Sequence, residues 1–205
     1  MVICIPPEQH AEFSALINQT LQHRKTVFID ELGWSIPAQG LIERDEFDDH
    51  ATYFISIRNQ RVLSSTRLLP TDQPHLMSEY FDDLCHGGAP RAPDILEISR
   101  MCVSPQMRSP ARRSYEISKL VTACLEYSLL RDVRALSFVT STGFIPSMLR
   151  VGLTLLPLGL PRPTETDIIS AWQLQVSPHG LDALSSHFKM TLPLMRMADQ
   201  IRIAA

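Results

Sequence analysis

The sequence predicts an α/β protein whose mixed central sheet is flanked by helices as a three-layer sandwich. Three observations carry that expectation. Segments of helical periodicity alternate with β-rich segments along the chain. One pair of β-rich segments is joined by a two-residue turn, and others are separated by helix-length crossovers. The 205 residues, 44% hydrophobic and 20% charged, suit a single domain over 1–205 that can bury a real core.

The elements follow in order. From Glu8 to about Asp30 the positions Phe13, Leu16, Ile17, Leu21, Arg24 and Phe28 recur at steps of three and four, which puts them on one helical face. Gly33 to Gly40, with Pro37 inside, breaks that helix. Thr52–Arg58 and Arg61–Leu68 are β-rich and separated by Asn59-Gln60, a hairpin pattern. His75–Cys85 reads as a short helix, and His86 to Pro93 as a loop. Ile95–Val103 alternates like a strand. Ser109-Pro110 supplies an N-cap and a first-position proline for a helix with an apolar stripe of Ile117, Leu120, Val121, Cys124, Leu125 and Ser128. Ala135–Thr140 is a strand, Phe144–Val151 a short helix, and Leu153–Leu158 and Ile168–Val176 strands. Ser177-Pro178 opens a last helix.

Composition excludes several classes. No apolar run reaches membrane-spanning length, so no membrane insertion is expected. The opening MVICIPPEQH lacks a basic n-region and does not read as a signal peptide. Cys4, Cys85, Cys102 and Cys124 lack CxxC spacing, which fits reduced thiols in a cytoplasmic protein. Net charge is −3 but uneven: residues 1–60 hold four Lys/Arg against nine Asp/Glu, and residues 100–150 hold eight against three. Such a split suits two partners of opposite charge or two solvated faces. The basic part is too weak and too poor in interleaved aromatics for nucleic acid. No HExxH, GxSxG, P-loop or GxGxxG is present, so neither a metal nor a nucleotide cofactor is expected.

Four constellations can carry chemistry. Glu43-Arg44-Asp45-Glu46-Phe47-Asp48-Asp49 packs five carboxylates into seven residues without the glycine and terminal glutamate of a calcium loop. It is either a solvated loop or a site for an organic cation such as S-adenosylmethionine, with Phe28 and Trp34 supplying aromatic faces. Arg67, inside a part-buried strand, needs an anion: Asp45 or Asp48, a substrate carboxylate, or both. Glu97 and Arg100 in the central strand form either a structural ion pair or a catalytic pair. Strict alternation puts Glu97 and Ser99 on one face and Arg100 on the other, and a β-bulge would let them converge. Finally, Gln106–Ser114 runs into a helix N-terminus with Arg108, Arg112 and Arg113, a setting for the phosphate of coenzyme A or of a phosphopantetheine arm, or simply a solvated basic helix start. Cys102 and Cys124 sit in apolar segments and read as inert thiols.

Together these residues resemble the LuxI-type acyl-homoserine-lactone synthase family. The resemblance is carried by Arg24-x3-Phe28-x5-Trp34, Asp45-x2-Asp48, Arg67 in an RLLPT context, and Glu97-x2-Arg100, all in order over the first half of the chain. It implies a fold similar to GCN5-type N-acetyltransferases. It implies acylation of the amine of S-adenosylmethionine from an acyl thioester, then lactonisation with release of methylthioadenosine, to make a quorum-sensing signal. Arg24, Phe28 and Trp34 would belong to a cover over S-adenosylmethionine, and Asp45, Asp48 and Arg67 would orient its amino-acid end. Glu97 would be the base and Arg100 its support. Ser99 and Thr140 would contact the acyl chain. Arg108, Arg112, Arg113 and Arg150 would dock acyl carrier protein or acyl-CoA. Two alternatives stand beside this reading: a GCN5-type N-acyltransferase on another amine, and a non-catalytic module that binds a carrier or a lipid-like ligand.

Overall fold

A computed structural model describes residues 1–201. The chain is mixed α/β, with a mixed sheet flanked by helices, as expected. It divides into two compact units. The first comprises residues 1–68, 100–124 and the chain from Leu192; the second comprises 69–99 and 125–191.

In the first unit β1 (Val2–Ile5) pairs antiparallel with β2 (Thr52–Arg58) and parallel with β9 (Met195–Met197). β2 in turn pairs antiparallel with β3 (Arg61–Pro70) through the expected Asn59-Gln60 turn, both of whose residues have positive φ. The register slips by one between Ser56 and Ile57, so Tyr53 lies opposite Arg67. Strand β1 was not expected. Its four residues are all fully buried, so they form a continuous apolar run that carries no alternation.

The expected helix over Glu8–Asp30 is three pieces: a 3₁₀ turn at Pro7–Gln9, α1 (Ser14–Arg24), and a π-helical stretch at Lys25–Glu31. The apolar face is nonetheless the expected one: Phe13, Leu16, Ile17, Leu21, Arg24 and Phe28 are all buried. In the π-helical stretch Lys25 Nζ donates to Asp30 Oδ1 at 2.7 Å, a pair five residues apart that the wider turn brings together.

In the second unit the strand order is β4-β5-β8-β6, with β7 (Arg162–Pro163) also on β8. The expected strand Ile95–Val103 is β4, which crosses into the first unit after Ser99. β5 (Ala135–Ser141) runs parallel to β4 and antiparallel to β8 (Ile168–Gln175). β6 (Leu155–Pro157) is a three-residue edge strand. The helices of this unit are α2 (Leu76–Tyr80), α4 (Ile145–Val151) and α5 (Pro178–His187), while α3 (Pro110–Leu130) belongs to the first unit up to Cys124. Ser177 caps α5 by accepting from the Gly180 N–H at 3.1 Å, as its sequence predicts. After β6 the chain keeps its direction along β8, bulging before β7 rejoins that strand. Leu158 N–H donates to Ala171 C=O at 3.0 Å, and Leu158 C=O accepts from His86 N–H at 2.7 Å. Gly159 then lies so close to Leu84 that a Cβ would sit 2.2 Å from its carbonyl oxygen.

Candidate active site

The first unit holds a closed network of charges. Arg24 ends α1 fully buried, and its guanidinium donates to Glu43 through Nε and to Asp48 Oδ1 and Oδ2 at 2.7 and 3.0 Å. Arg67, also fully buried, donates to Asp48 at 2.6 Å and to both oxygens of Asp45, one at 2.8 Å. Tyr53 donates its hydroxyl to Asp48 Oδ1 at 2.6 Å. Arg100 completes the network: Nε donates to Glu43 at 3.2 Å and Nη2 lies 2.9 Å from Asp45 Oδ2.

Three guanidiniums thus face three carboxylates. Burial alone would favour the neutral form of Asp48, yet Arg24 and Arg67 override it and hold the carboxyl well below the usual range. Burial works against the charge of Arg24 as well, and Asp48 and Glu43 reverse that effect. The same burial, with the Asp48 charge beside it, pushes the Tyr53 hydroxyl up. The acidic loop therefore does not need an external cation to be tolerated: Glu43, Asp45, Asp48 and Asp49 each meet an arginine of the chain itself. Only Asp45 and Arg100 open part of their side chains to solvent, 9% and 10%. The network has a sealed base and a two-residue mouth of opposite charges.

Arg100 breaks the regular backbone of this strand. Its φ is 52°, a left-handed backbone that a side chain other than glycine rarely adopts. Near the network, Phe28 is buried while Trp34 is 42% exposed. Their rings stack with centroids 4.7 Å apart and planes 8° from parallel. The pair presents an aromatic face at the end of the π-helical stretch.

Glu97 lies in the second unit. It is buried, and its carboxylate accepts the Met77 N–H at 3.1 Å, which joins it to the first turn of α2. The pairing of β4 with β5 runs from Ile95/Ala135 to Glu97/Ser137, although β5 continues to Ser141. The strands therefore part directly beyond Glu97. Paired residues share a face, so Glu97 lies on the face of Ser137, and Thr140, three residues further along β5, lies on the opposite one. The candidate base and the candidate acyl contact thus sit on opposite faces of the sheet, beside the parting of β4 and β5. Ser99 is buried and Thr140 half-buried.

The basic residues divide as well. Arg108 and Arg112 are exposed at the start of α3, and Arg113 donates to the Met107 carbonyl at 3.4 Å. Arg150, exposed in the last turn of α4, belongs to the other unit. Burial pushes the Cys102 thiol up to about 12 and holds Cys124 well above the usual thiol range, in keeping with inert core thiols. Sequence reasoning read Glu43 only as one carboxylate of the acidic loop and passed over Tyr53. Glu43 had a signal, since it stands two residues before Asp45 in the same loop; Tyr53 had none without the register of the hairpin.

Comparisons with known proteins give the family. A family model described as autoinducer synthase matches residues 8–184. The isovaleryl-homoserine lactone synthase of Bradyrhizobium diazoefficiens is 29% identical over 196 residues, covering 94% of this chain and 87% of that one. An acyl-homoserine-lactone synthase of Pseudomonas aeruginosa is 27% identical, covering 80% and 88%. Among solved structures, a CoA-dependent acyl-homoserine lactone synthase, BjaI, with SAM and isopentyl-CoA, superposes with a TM-score of 0.87 at 26% identity, covering 96% and 92%. A putative N-acetyltransferase from Lactobacillus plantarum, at 16% identity and a TM-score of 0.54, shares the fold alone. The fold and site define an acyltransferase, of the kind that makes acyl-homoserine lactones. The chain belongs to the autoinducer synthase family.

Proposed function

We propose that the chain, as one synthase domain in the cytoplasm and without a cofactor, acylates the amine of S-adenosylmethionine and closes the homoserine lactone. The mouth of the charge network carries this reading. Arg100 and Asp45 are the two members that reach solvent, and they match the carboxylate and ammonium of the substrate's amino-acid end. Arg24, Arg67, Glu43 and Asp48 hold them in place from below. The stacked Phe28 and Trp34 cover the sulfonium.

Glu97 is the base. It takes a proton from the substrate ammonium, through water, and the freed nitrogen attacks the thioester carbonyl. Backbone N–H groups at the parting of β4 and β5 stabilise the oxyanion, and the thiol of the donor leaves. The substrate carboxylate then attacks its own γ-carbon, and the bond to the sulfonium breaks to release methylthioadenosine. That step needs a folded-back conformer, so the enzyme contributes positioning. The acyl chain lies past the split with Ser99 and Thr140 beside it.

The donor is an acyl thioester of coenzyme A. The reading is supported by the CoA-dependent relatives, among them MesI, with a TM-score of 0.85 at 25% identity. Arg108, Arg112 and Arg113 receive its phosphates. Arg108 and Arg112 are exposed enough to meet an acidic carrier protein instead, which favours acyl carrier protein as a second donor. The test is to incubate the protein with S-adenosylmethionine and each donor and to assay methylthioadenosine. Release with neither donor would refute the function, and release with carrier-bound acyl groups alone would reverse the choice of donor.

A further inference from the structure

We propose that Trp172 is a specificity-determining residue that confines the enzyme to short acyl chains. The inference rests on the reading of Thr140 as an acyl-chain contact. Antiparallel partners project to the same face of a sheet. Thr140 faces Ser170 across the β5–β8 pairing, and Phe138 faces Trp172. On the other side of β8, Trp172 faces Pro157. Phe138, Trp172 and Pro157 therefore form one row on the Thr140 face, and Thr140 with Ser170 forms the next.

Two observations make the indole a wall and not a packing element. Its Nε1–H donates to Ser170 Oγ at 2.7 Å, two residues back along the same strand. That bond turns the ring toward the Thr140 row and restricts its rotation. Burial supplies the second. Ser170 is 1% exposed and Phe138 is 7%, whereas Trp172 and Thr140 are only half-buried. The anchor is sealed, and the large ring it holds retains an uncovered surface beside the threonine. Diagonal neighbours in a sheet are about 7–8 Å apart, within reach of an aromatic ring. A chain that passes Thr140 toward β8 meets the indole roughly one strand spacing on, about 5 Å. That leaves room for a few methylenes or a branch, and none for a long tail.

The full-length enzyme tests this in competition assays. Butanoyl-CoA and octanoyl-CoA, and the same acyl groups on carrier protein, are compared by methylthioadenosine release at saturating S-adenosylmethionine. Native enzyme should prefer butanoyl. Trp172→Ala should raise the octanoyl-to-butanoyl ratio of kcat/KM by at least about tenfold, the usual scale for pocket discrimination, with the KM for S-adenosylmethionine unchanged. Trp172→Phe, which keeps most of the ring and loses the anchoring N–H, should move the ratio the same way by less. Ser170→Ala should do likewise. Should Trp172→Ala not fold, the other two variants decide. Turnover with an unchanged ratio in the folded variants, or a native preference for octanoyl, would overturn the wall while leaving the acyl-transfer reading intact. Silence with every donor would overturn both.

Discussion

Replacing Asp48 with asparagine probes the sealed base of the charge network directly. The substitution keeps the shape and removes one charge. In the native chain Asp48 accepts from Arg24 at 2.7 and 3.0 Å, from Arg67 at 2.6 Å, from Tyr53 at 2.6 Å and from the Asp45 N–H at 2.9 Å. In Asp48→Asn three guanidiniums face two carboxylates, and an amide NH₂ points at donors. Breaking one member out of a buried ion network costs about 3–5 kcal/mol, chiefly because the partners are left uncompensated. At roughly 2–4 °C per kcal/mol for a chain of this size, the melting temperature should fall by about 6–20 °C. Circular dichroism at neutral pH measures it. Adding Arg24→Met removes one stranded cation, so the double variant should be less destabilised than the sum of the singles. A fall of less than about 2 °C for Asp48→Asn, or strict additivity in the cycle, would refute the account of a closed, mutually neutralised cluster.

Acid should destabilise the protein through the same residue. The folded Asp48 carboxyl is held below its ordinary range, so its stabilisation is complete at neutral pH and is lost as pH falls below about 4, where the unfolded chain takes up the proton first. A melting temperature falling as steeply in Asp48→Asn as in the native chain would contradict this. Glu97→Gln should lower turnover by roughly 10²–10⁴-fold, the range for general-base catalysis, with a native melting curve; near-native turnover would place the base elsewhere. Charge reversal at Arg108 or Arg112 should raise the KM for the acyl donor, most at low salt, and spare that for S-adenosylmethionine. An unaltered donor KM at low salt would remove both arginines from the donor site.

Much of the fold was legible because its signals are local. The Asn59-Gln60 turn, the Ser177-Pro178 helix start and the strand Ile95–Val103 are written in adjacent residues. Strand β1 was not legible, since four buried residues on an interior strand carry no periodicity. The charge network was legible as a set of residues and illegible as a circuit. Counted from the turn, Arg67 should oppose Thr52; the slip between Ser56 and Ile57 sets it opposite Tyr53 and so brings both side chains to Asp48. No local pattern announces a one-residue slip. The aromatic pair shows the converse: Phe28 and Trp34 were each visible, but stacking depends on the π-helical turns between them.

The bulge after β6 has a consequence for how the edge of this sheet meets other extended chains. A sheet's outermost strand exposes a ladder of backbone groups that any passing extended chain can extend. Here that strand is three residues long and ends at Pro157, the next residue gives its carbonyl to His86, and the two-residue β7 takes over the edge of β8. The lock depends on Gly159, where even a methyl group would strike the Leu84 carbonyl. A Gly159→Ala chain would keep its charge network and strand β4, and would lift the stitch that finishes the sheet. Its failure would show first as increased self-association at high concentration, with acyl transfer intact.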